Sequence, residues 1–223
     1  MTERPRLAVL GGTGQEGRGL SARFAVAGYQ VVVGSRDAGR AAEAAQATAE
    51  AVRQAAGTGA VWGATNLEAA AGADVVVLAT PYEGMHELLG AARRALAGKV
   101  VVSAVVPMTF AGGRLGMTDV AEGSAAEAVA TALPESRVVG AFHTVAAKHL
   151  LDLGRALDED VPLVADDGQA RAVVAGLCGA IGVRGVDAGG LRQARFVEGL
   201  TPMLVGVNRA NRVSAGIRFV GLE

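Results

Sequence analysis

The sequence lacks several features that would place the chain outside the ordinary globular proteins. It has one cysteine, Cys178, which excludes an internal disulfide framework and a cysteine-rich zinc site and favours a reducing compartment. Its 223 residues include only six prolines and 4% aromatics, against 51% apolar residues, which is typical of a folded chain rather than a disordered or collagen-like one. The 21 basic and 22 acidic residues nearly balance, so a net charge of -1 provides no bulk attraction for nucleic acid or anionic lipid.

Long apolar runs are also absent. No stretch approaches the ~18 consecutive apolar residues that a membrane-spanning helix needs. The polar residues 1–6 are followed by a short apolar run and then a glycine loop, without the apolar core of a signal peptide. We therefore expect a cytoplasmic protein without nucleic-acid or membrane partners.

What the sequence does contain is an alternation of short apolar runs with alanine-rich segments. The runs are typical of strands in a parallel sheet that is buried on both faces, and the segments between them have helix-forming composition. This alternation predicts an α/β fold, with a Rossmann-type, doubly wound, mostly parallel sheet and a small C-terminal α/β part. We expect residues 1–140 to form the nucleotide-binding domain and residues 141–223 a small C-terminal domain.

The predicted elements follow from these patterns and from helix-capping residues such as Asp37. The predicted strands are 7–10, 30–33, 60–64, 74–79, 99–102, 138–142, 161–165 and 183–186. The predicted helices are 15–27, 38–56, a short one from Asn66, 83–97, 124–133, 167–180 and 191–211. Residues 103–119 are predicted to form an irregular, glycine-containing loop.

The first strand runs directly into Gly11-Gly12-Thr13-Gly14-Gln15-Glu16-Gly17, which contains the G-x-G-x-x-G pattern. In dinucleotide-binding proteins these glycines allow a tight turn, the approach of a pyrophosphate to the backbone and close packing of helix on strand. The pattern alone is weak evidence and also fits a glycine-rich turn without a ligand. Here a strand precedes it and a helix follows, as the motif requires. The sequence therefore predicts a dinucleotide site at Gly12, Thr13, Gly14, Gln15 and Gly17.

The residues after the second strand favour NADP over NAD. NAD-binding proteins carry an acidic residue there that accepts hydrogen bonds from the ribose hydroxyls, whereas this chain has Ser35 and Arg36. Arg36 and Arg40 lie four apart, so a helix that begins near Asp37 would direct both toward one site. Cations are misplaced at a helix N-terminus unless they bind an anion. These arginines, with the hydroxyls of Ser35 and Thr13, predict a 2′-phosphate pocket; Asp37 is the one residue that would still suit NAD.

Later strand ends, where ligands of open α/β sheets bind, carry mostly apolar residues. A ring cofactor or substrate fits against Val106, Pro107 and Val145, and only His143 and Thr80 offer polar chemistry. His143 could equally be structural. The chain has neither the Lys-x-x-Asn pattern of β-hydroxyacid dehydrogenases nor the Tyr-x-x-x-Lys pair of short-chain dehydrogenases, so a carbonyl reductase would lack its proton donor. Hydride exchange between two ring cofactors needs mainly orientation, and the sparse histidines predict no metal site.

Taken together, these motifs resemble the coenzyme F420-dependent NADP reductases of archaea and actinobacteria. The resemblance covers essentially the whole chain and is carried by residues 8–14, 17–20, 31–36, 102–107, 124–127, 143–144, 161–167, 187–191 and 197–202. It implies a Rossmann domain, a small C-terminal part, a homodimer, and reversible hydride transfer between NADP(H) and coenzyme F420. An NADPH-dependent reductase of a small imine or carbonyl and a non-catalytic NADP-sensing module are the alternatives.

The resemblance also implies roles for individual residues. Thr13, Ser35, Arg36 and Arg40 would hold NADP, Thr80 and Pro81 would flank the nicotinamide, and Val106, Pro107, His143 and Val145 would border the deazaflavin. His143 is the candidate catalytic residue, as a group that stabilises charge on the deazaflavin.

The last predicted helix carries an apolar face of its own. Phe196, Leu200, Leu204 and Val207 recur at helical spacing within 191–211. We expect this face to meet its symmetry mate in the homodimer.

Overall fold

The computed structural model describes residues 4–111 and 114–222. The strands in these ranges are β1 (Leu7–Leu10), β2 (Val31–Ser35), β3 (Val61–Thr65), β4 (Val75–Leu78), β5 (Val100–Ser103), β6 (Met108–Ala111), β7 (Arg114–Met117), β8 (Arg137–Gly140), β9 (Asp160–Leu163) and β10 (Arg184–Asp187). The α-helices are α1 (Gln15–Val26), α2 (Ala38–Gln54), α3 (Asn66–Gly72), α4 (Tyr82–Leu96), α5 (Ala125–Ala132), α6 (Ala147–Leu151), α7 (Gly168–Ala180) and α8 (Ala194–Asn211). A 3-10 turn at Leu191–Gln193 precedes α8.

The main sheet confirms the predicted Rossmann-type fold. Its strands are all parallel and follow the order β3-β2-β1-β4-β5-β8. The central strands are fully buried runs of valine and leucine, because helices cover both faces of the sheet. One apolar cluster lies on each face, and the carboxyl ends of the strands are left for the site.

Helix starts follow the capping residues in the sequence. The carboxylate of Asp37 accepts a hydrogen bond from the backbone N–H of Arg40, as predicted. Thr65 and Glu68 form a reciprocal capping box at the start of α3. Since these bonds are local, they also fix where the chain leaves the strand ends that border the site.

The prediction of an irregular loop over 103–119 was wrong for part of this segment. Strands β6 and β7 form an antiparallel hairpin that pairs Met108 with Met117 and Phe110 with Leu115. Their sequences contain no valine or isoleucine, and glycines occur within and between them, so the pattern favoured a loop. Gly112 and Gly113 lie outside the described residues. The short helix α6 was also missed.

The C-terminal part is a small parallel pair, β9 and β10, with α7 packed on it. An antiparallel bridge between Gly140 and Val164 joins this pair to the end of β8. No helix within the described ranges is both long and apolar enough to cross a membrane.

Helix α8 presents a different exposed stripe from the one predicted. Leu204 is only 8% exposed, whereas Phe196, Met203 and Val207 are 66%, 52% and 39% exposed. Each residue advances a helix by about 100°, so two steps of four residues turn Leu204 about 80° away from Phe196 and toward the core. The exposed stripe is therefore Phe196, half-buried Leu200, Met203 and Val207.

Candidate active site

A cavity of about 1290 Å³ extends along the carboxyl ends of the parallel strands. Each strand of the main sheet contributes the residues that follow it, and α8 closes one side. The cavity is larger than the roughly 300–1,000 Å³ usual for a single ligand, so it has room for two ligands side by side. Its lining includes 13–16, 35–37, Arg40, 65–67, 79–81, Ala104, Val106, Met108, 142–147, Thr201, Leu204, Val205 and Asn208.

The glycine turn after β1 has the geometry of a phosphate-binding loop, but a different glycine makes the tight turn from the one in the G-x-G-x-x-G pattern. Gly11, not Gly12, adopts the left-handed conformation, with φ of 72°. Gly17 has no room for a side chain, since a Cβ there would lie 2.6 Å from the Cα of Gly12. Gly12 and Gly17 thus pack α1 against the end of β1 and do not line the cavity, whereas Thr13 and the two residues after it do.

The end of β2 provides a positively charged corner. Arg36 and Arg40 are exposed and line the cavity next to the buried Ser35. Neither guanidinium forms an ion pair with another described residue. The carboxylate of Asp37 caps α2, with 2.7 Å between its Oδ1 and the backbone nitrogen of Arg40. Two unpaired cations beside a capped helix start suit an anionic group such as a phosphate.

Asn66, which sequence reasoning did not assign to the site, connects two of the loops. Its Oδ1 accepts a hydrogen bond from the backbone N–H of Gly11 at 3.3 Å. A Cβ on Gly34 would lie 2.8 Å from the same oxygen. Asn66 therefore braces the glycine turn against the end of β2. Its position directly after a predicted strand was the available signal.

The other end of the cavity carries buried polar atoms that have no protein partner. His143 is 6% exposed, and neither of its ring nitrogens makes a hydrogen bond within the described residues. The hydroxyls of Thr80 and Thr144, which also line the cavity, are likewise buried without a hydrogen-bond partner in the described residues. Burial lowers the pKa of His143 to about 4, so the ring is neutral at pH 7. Because buried polar groups are nearly always hydrogen-bonded, this wall is built to bind a polar ligand.

Backbone strain holds His143 in place. Phe142 has φ of 68°, which is a rare conformation for a bulky residue. Its ring packs edge-on against Phe24 in the core, with 6.0 Å between the centroids. The hydroxyl of Thr201 donates a hydrogen bond of 2.7 Å to the carbonyl of His143. The sequence places Thr201 only within the motif 197–202, because its role depends on the tertiary approach of α8.

The cavity brings together most of the residues that the sequence assigned to a site. Its lining includes Thr13, Gly14, Gln15, Ser35, Arg36, Arg40, Thr80, Pro81, Val106, His143 and Val145. Gly12, Gly17 and Pro107 lie outside the lining. Pro107 accepts a hydrogen bond from the backbone N–H of Thr118 at 2.7 Å and so supports the chain next to Val106.

Known proteins resemble this chain over nearly its whole length. The sequence model of a family described as NADP oxidoreductase, coenzyme F420-dependent, matches residues 6–107. An F420-dependent NADP reductase of Methanothermobacter thermautotrophicus is 43% identical over 97% of this chain and 95% of that protein. One from Methanocaldococcus jannaschii is 38% identical over 98% of this chain and 99% of that protein. The crystal structure of a putative F420-dependent NADP reductase from Arthrobacter sp. FB24 is 28% identical, with a TM-score of 0.82, over 97% of this chain and all of that one. The chain therefore belongs to the family of F420-dependent NADP reductases.

Proposed function

We propose that the chain catalyses reversible hydride transfer between NADP(H) and coenzyme F420. The observation that carries this proposal is one cavity that joins a phosphate-binding glycine turn to a wall of unpartnered polar groups around His143. The nicotinamide and the deazaflavin supply the chemistry when bound, and the protein supplies orientation and a water-poor environment.

The nucleotide side uses the ends of the first strands. Backbone N–H groups at Thr13 and Gln15 bind the pyrophosphate at the start of α1, and Gly14, whose own N–H donates to the carbonyl of Gly11 at 3.3 Å, lets the pyrophosphate approach the backbone. Arg36 and Arg40 bind the 2′-phosphate, which explains two unpaired cations at the start of α2. This arrangement makes NADP the preferred nucleotide, since Asp37 already caps the helix.

The hydride-transfer side uses the later strand ends. Thr80 and Pro81 flank the nicotinamide, and Val106 and Val145 border the deazaflavin, with Pro107 behind Val106. His143, neutral at pH 7, holds one ring N–H with which to stabilise negative charge on the acceptor ring.

The arrangement of the chain follows from these roles. Residues 1–140 form the NADP-binding domain, and residues 141–223 complete the F420 site and the dimer interface. The exposed apolar stripe of α8 supports a homodimer, because apolar patches of this kind are usually covered. A cytoplasmic location is consistent with the lone, buried Cys178.

The test is to mix the purified protein with NADPH and oxidised F420 and to follow the visible absorption band of F420. We expect the band to disappear with NADPH and to return when NADP and reduced F420 are supplied. Oxidation of NADPH by small cyclic imines or carbonyls, without any reaction of F420, would contradict the proposal and favour an imine or carbonyl reductase. Saturable NADPH binding without either reaction would favour a sensing module.

A further inference from the structure

Two glutamates outside the residues assigned to either cofactor lie close enough for the charge of Glu159 to act on Glu16. Glu16 lies in the first turn of α1 and lines the cavity, and Glu159 directly precedes β9. Oε1 of Glu16 and Oε2 of Glu159 are each buried without a hydrogen-bond partner in the described ranges. The other carboxylate oxygen of Glu159 contacts Nδ1 of His149. Each carboxyl group therefore has one buried oxygen without a partner in the described ranges, and the other oxygen of Glu159 is held by His149.

The surrounding charges do not neutralise Glu16. Arg18, on the same helix, has a buried Nε without a partner. Arg23, one helical turn further on, donates its hydrogen bonds to backbone carbonyls of 149–155. The charges of Asp152 and Arg155, which lie in the same segment, affect the pKa of Arg23.

Among the elements packed on α1, α6 carries an exposed Lys148 and α2 carries Arg40 at the same cavity, and neither forms an ion pair with Glu16 in the described residues. His149 of α6 faces Glu159. The C-terminal segment next to Glu159, at Gly216, carries no ionisable group over 214–217. Burial raises the pKa of Glu16 to about 8, and the negative charge of Glu159 contributes in the same direction.

The location of Glu16 matters because of what binds at the start of α1. The free N–H groups there attract phosphate, and an ionised carboxylate in the same turn repels it. This repulsion is strong in an enclosed site, where the effective dielectric is low. A protonated Glu16 is neutral and removes the repulsion. The two states of one side chain therefore differ in how well they tolerate a bound pyrophosphate.

We propose that the protein binds NADPH productively only when Glu16 is protonated, so that NADPH binding and the protonation of Glu16 are coupled. This inference rests on the proposed NADP site. The sign follows from linkage: below the pKa of Glu16 the free protein already carries the proton, and affinity is independent of pH. Above it, binding must take up a proton, and affinity falls by up to about tenfold per pH unit.

The experiment measures NADPH binding rather than turnover. Dissociation constants are determined by titration calorimetry from about pH 7 to about pH 9.5 at constant ionic strength, where linkage predicts a change of about 3- to 30-fold for the unaltered protein. Calorimetry in buffers of different ionisation enthalpy also reports the uptake of up to one proton per NADPH at the alkaline end. Cys178 does not titrate in this pH range, because burial raises its pKa to about 12.

Two variants identify the group. Glu16→Gln keeps the shape without the titrating proton, and its dissociation constant is expected to change less than about twofold over the same range, with no proton uptake. Glu159→Gln removes the negative charge that helps to raise the pKa of Glu16. Glu16 therefore ionises at lower pH in this variant, and the affinity for NADPH begins to fall at lower pH. Should Glu159→Gln fail to fold, as judged by circular dichroism, Glu16→Gln alone decides the question.

The measurements distinguish a failure of this inference from a failure of the proposed function. Equal pH dependence in the unaltered protein and Glu16→Gln, or NADPH binding without proton uptake, overturns this inference and leaves the proposed function intact. Failure of the unaltered protein to bind NADPH at any pH overturns the proposed function and this inference with it.

Discussion

At the scale of single residues, we expect the nucleotide preference to depend on Arg36. Its guanidinium is exposed at the cavity edge and unpaired within the described chain, so its replacement disturbs no internal contact. We predict that Arg36→Ala weakens NADPH binding by about 10- to 100-fold, as expected for loss of a charge-assisted hydrogen bond to phosphate, and changes NADH binding little. Arg53→Ala, at the other end of α2, is the matched control. Equal losses for both nucleotides would show that Arg36 does not read the 2′-phosphate.

His143 is the second residue-scale test. We predict that His143→Ala slows hydride transfer by about 10- to 1,000-fold with native folding, because the ring stabilises charge and forms no covalent bond. The rate of the unaltered enzyme should show no titration of a histidine near neutral pH, since the pKa of His143 is lowered to about 4 by burial. His86→Ala, an exposed histidine of α4 outside the cavity, is the control. Unchanged turnover would make His143 a structural residue.

At the scale of elements, one buried carboxylate joins two helices. Glu198 of α8 is 0% exposed and accepts hydrogen bonds from the backbone N–H groups of Ala125 and Ala126, both at 2.9 Å. It thus caps α5 from a helix that lies more than seventy residues later. Two of the motifs that carried the family resemblance, 124–127 and 197–202, are therefore in contact because one caps the other.

We predict that Glu198→Ala lowers the free energy of unfolding by about 1–3 kcal/mol, because two buried N–H groups lose their acceptor. Urea denaturation measures the change. Glu127→Ala, which alters the local cap at Ser124 and a partly exposed ion pair with Arg195, should cost about 1 kcal/mol or less. A smaller loss at Glu198 than at Glu127 would contradict the role of the long-range cap.

At the scale of the whole molecule, the exposed stripe of α8 determines the expected assembly. The hairpin beside it exposes Phe110 as well, with Arg209 stacked 5.6 Å from the ring centroid. We predict a particle of about twice 22.4 kDa by light scattering, and a monomer for Met203→Glu, because a charge in an apolar interface is costly. Val173→Glu, at an exposed position of α7, is the control and should leave the dimer intact. A monomer from the unaltered chain would refute the dimer. A charge at Leu204 would not test the dimer, since Leu204 lines the cavity.

Much of the fold was predictable because its signals are local. A buried parallel strand needs a short apolar run, and a helix start needs a capping residue, so β1, β2, β4 and the cap at Asp37 follow from neighbours in sequence. The glycine turn and the arginines after β2 were predictable for the same reason, since each ligand-binding feature lies within one turn. The hairpin at 108–117 was not, because its strands lack a β-branched run and depend on pairing with each other.

The sequence by itself determined the fold class and the family, and it predicted the residues of the nucleotide end, because each rests on short patterns whose residues are adjacent in the chain. Only the tertiary structure decided which face of α8 is exposed, that Glu198 caps α5, and that the charge of Glu159 acts on Glu16, more than 140 residues earlier. These depend on how elements distant in sequence pack, and burial, which sets the protonation of His143 and Glu16, arises only when that packing excludes water.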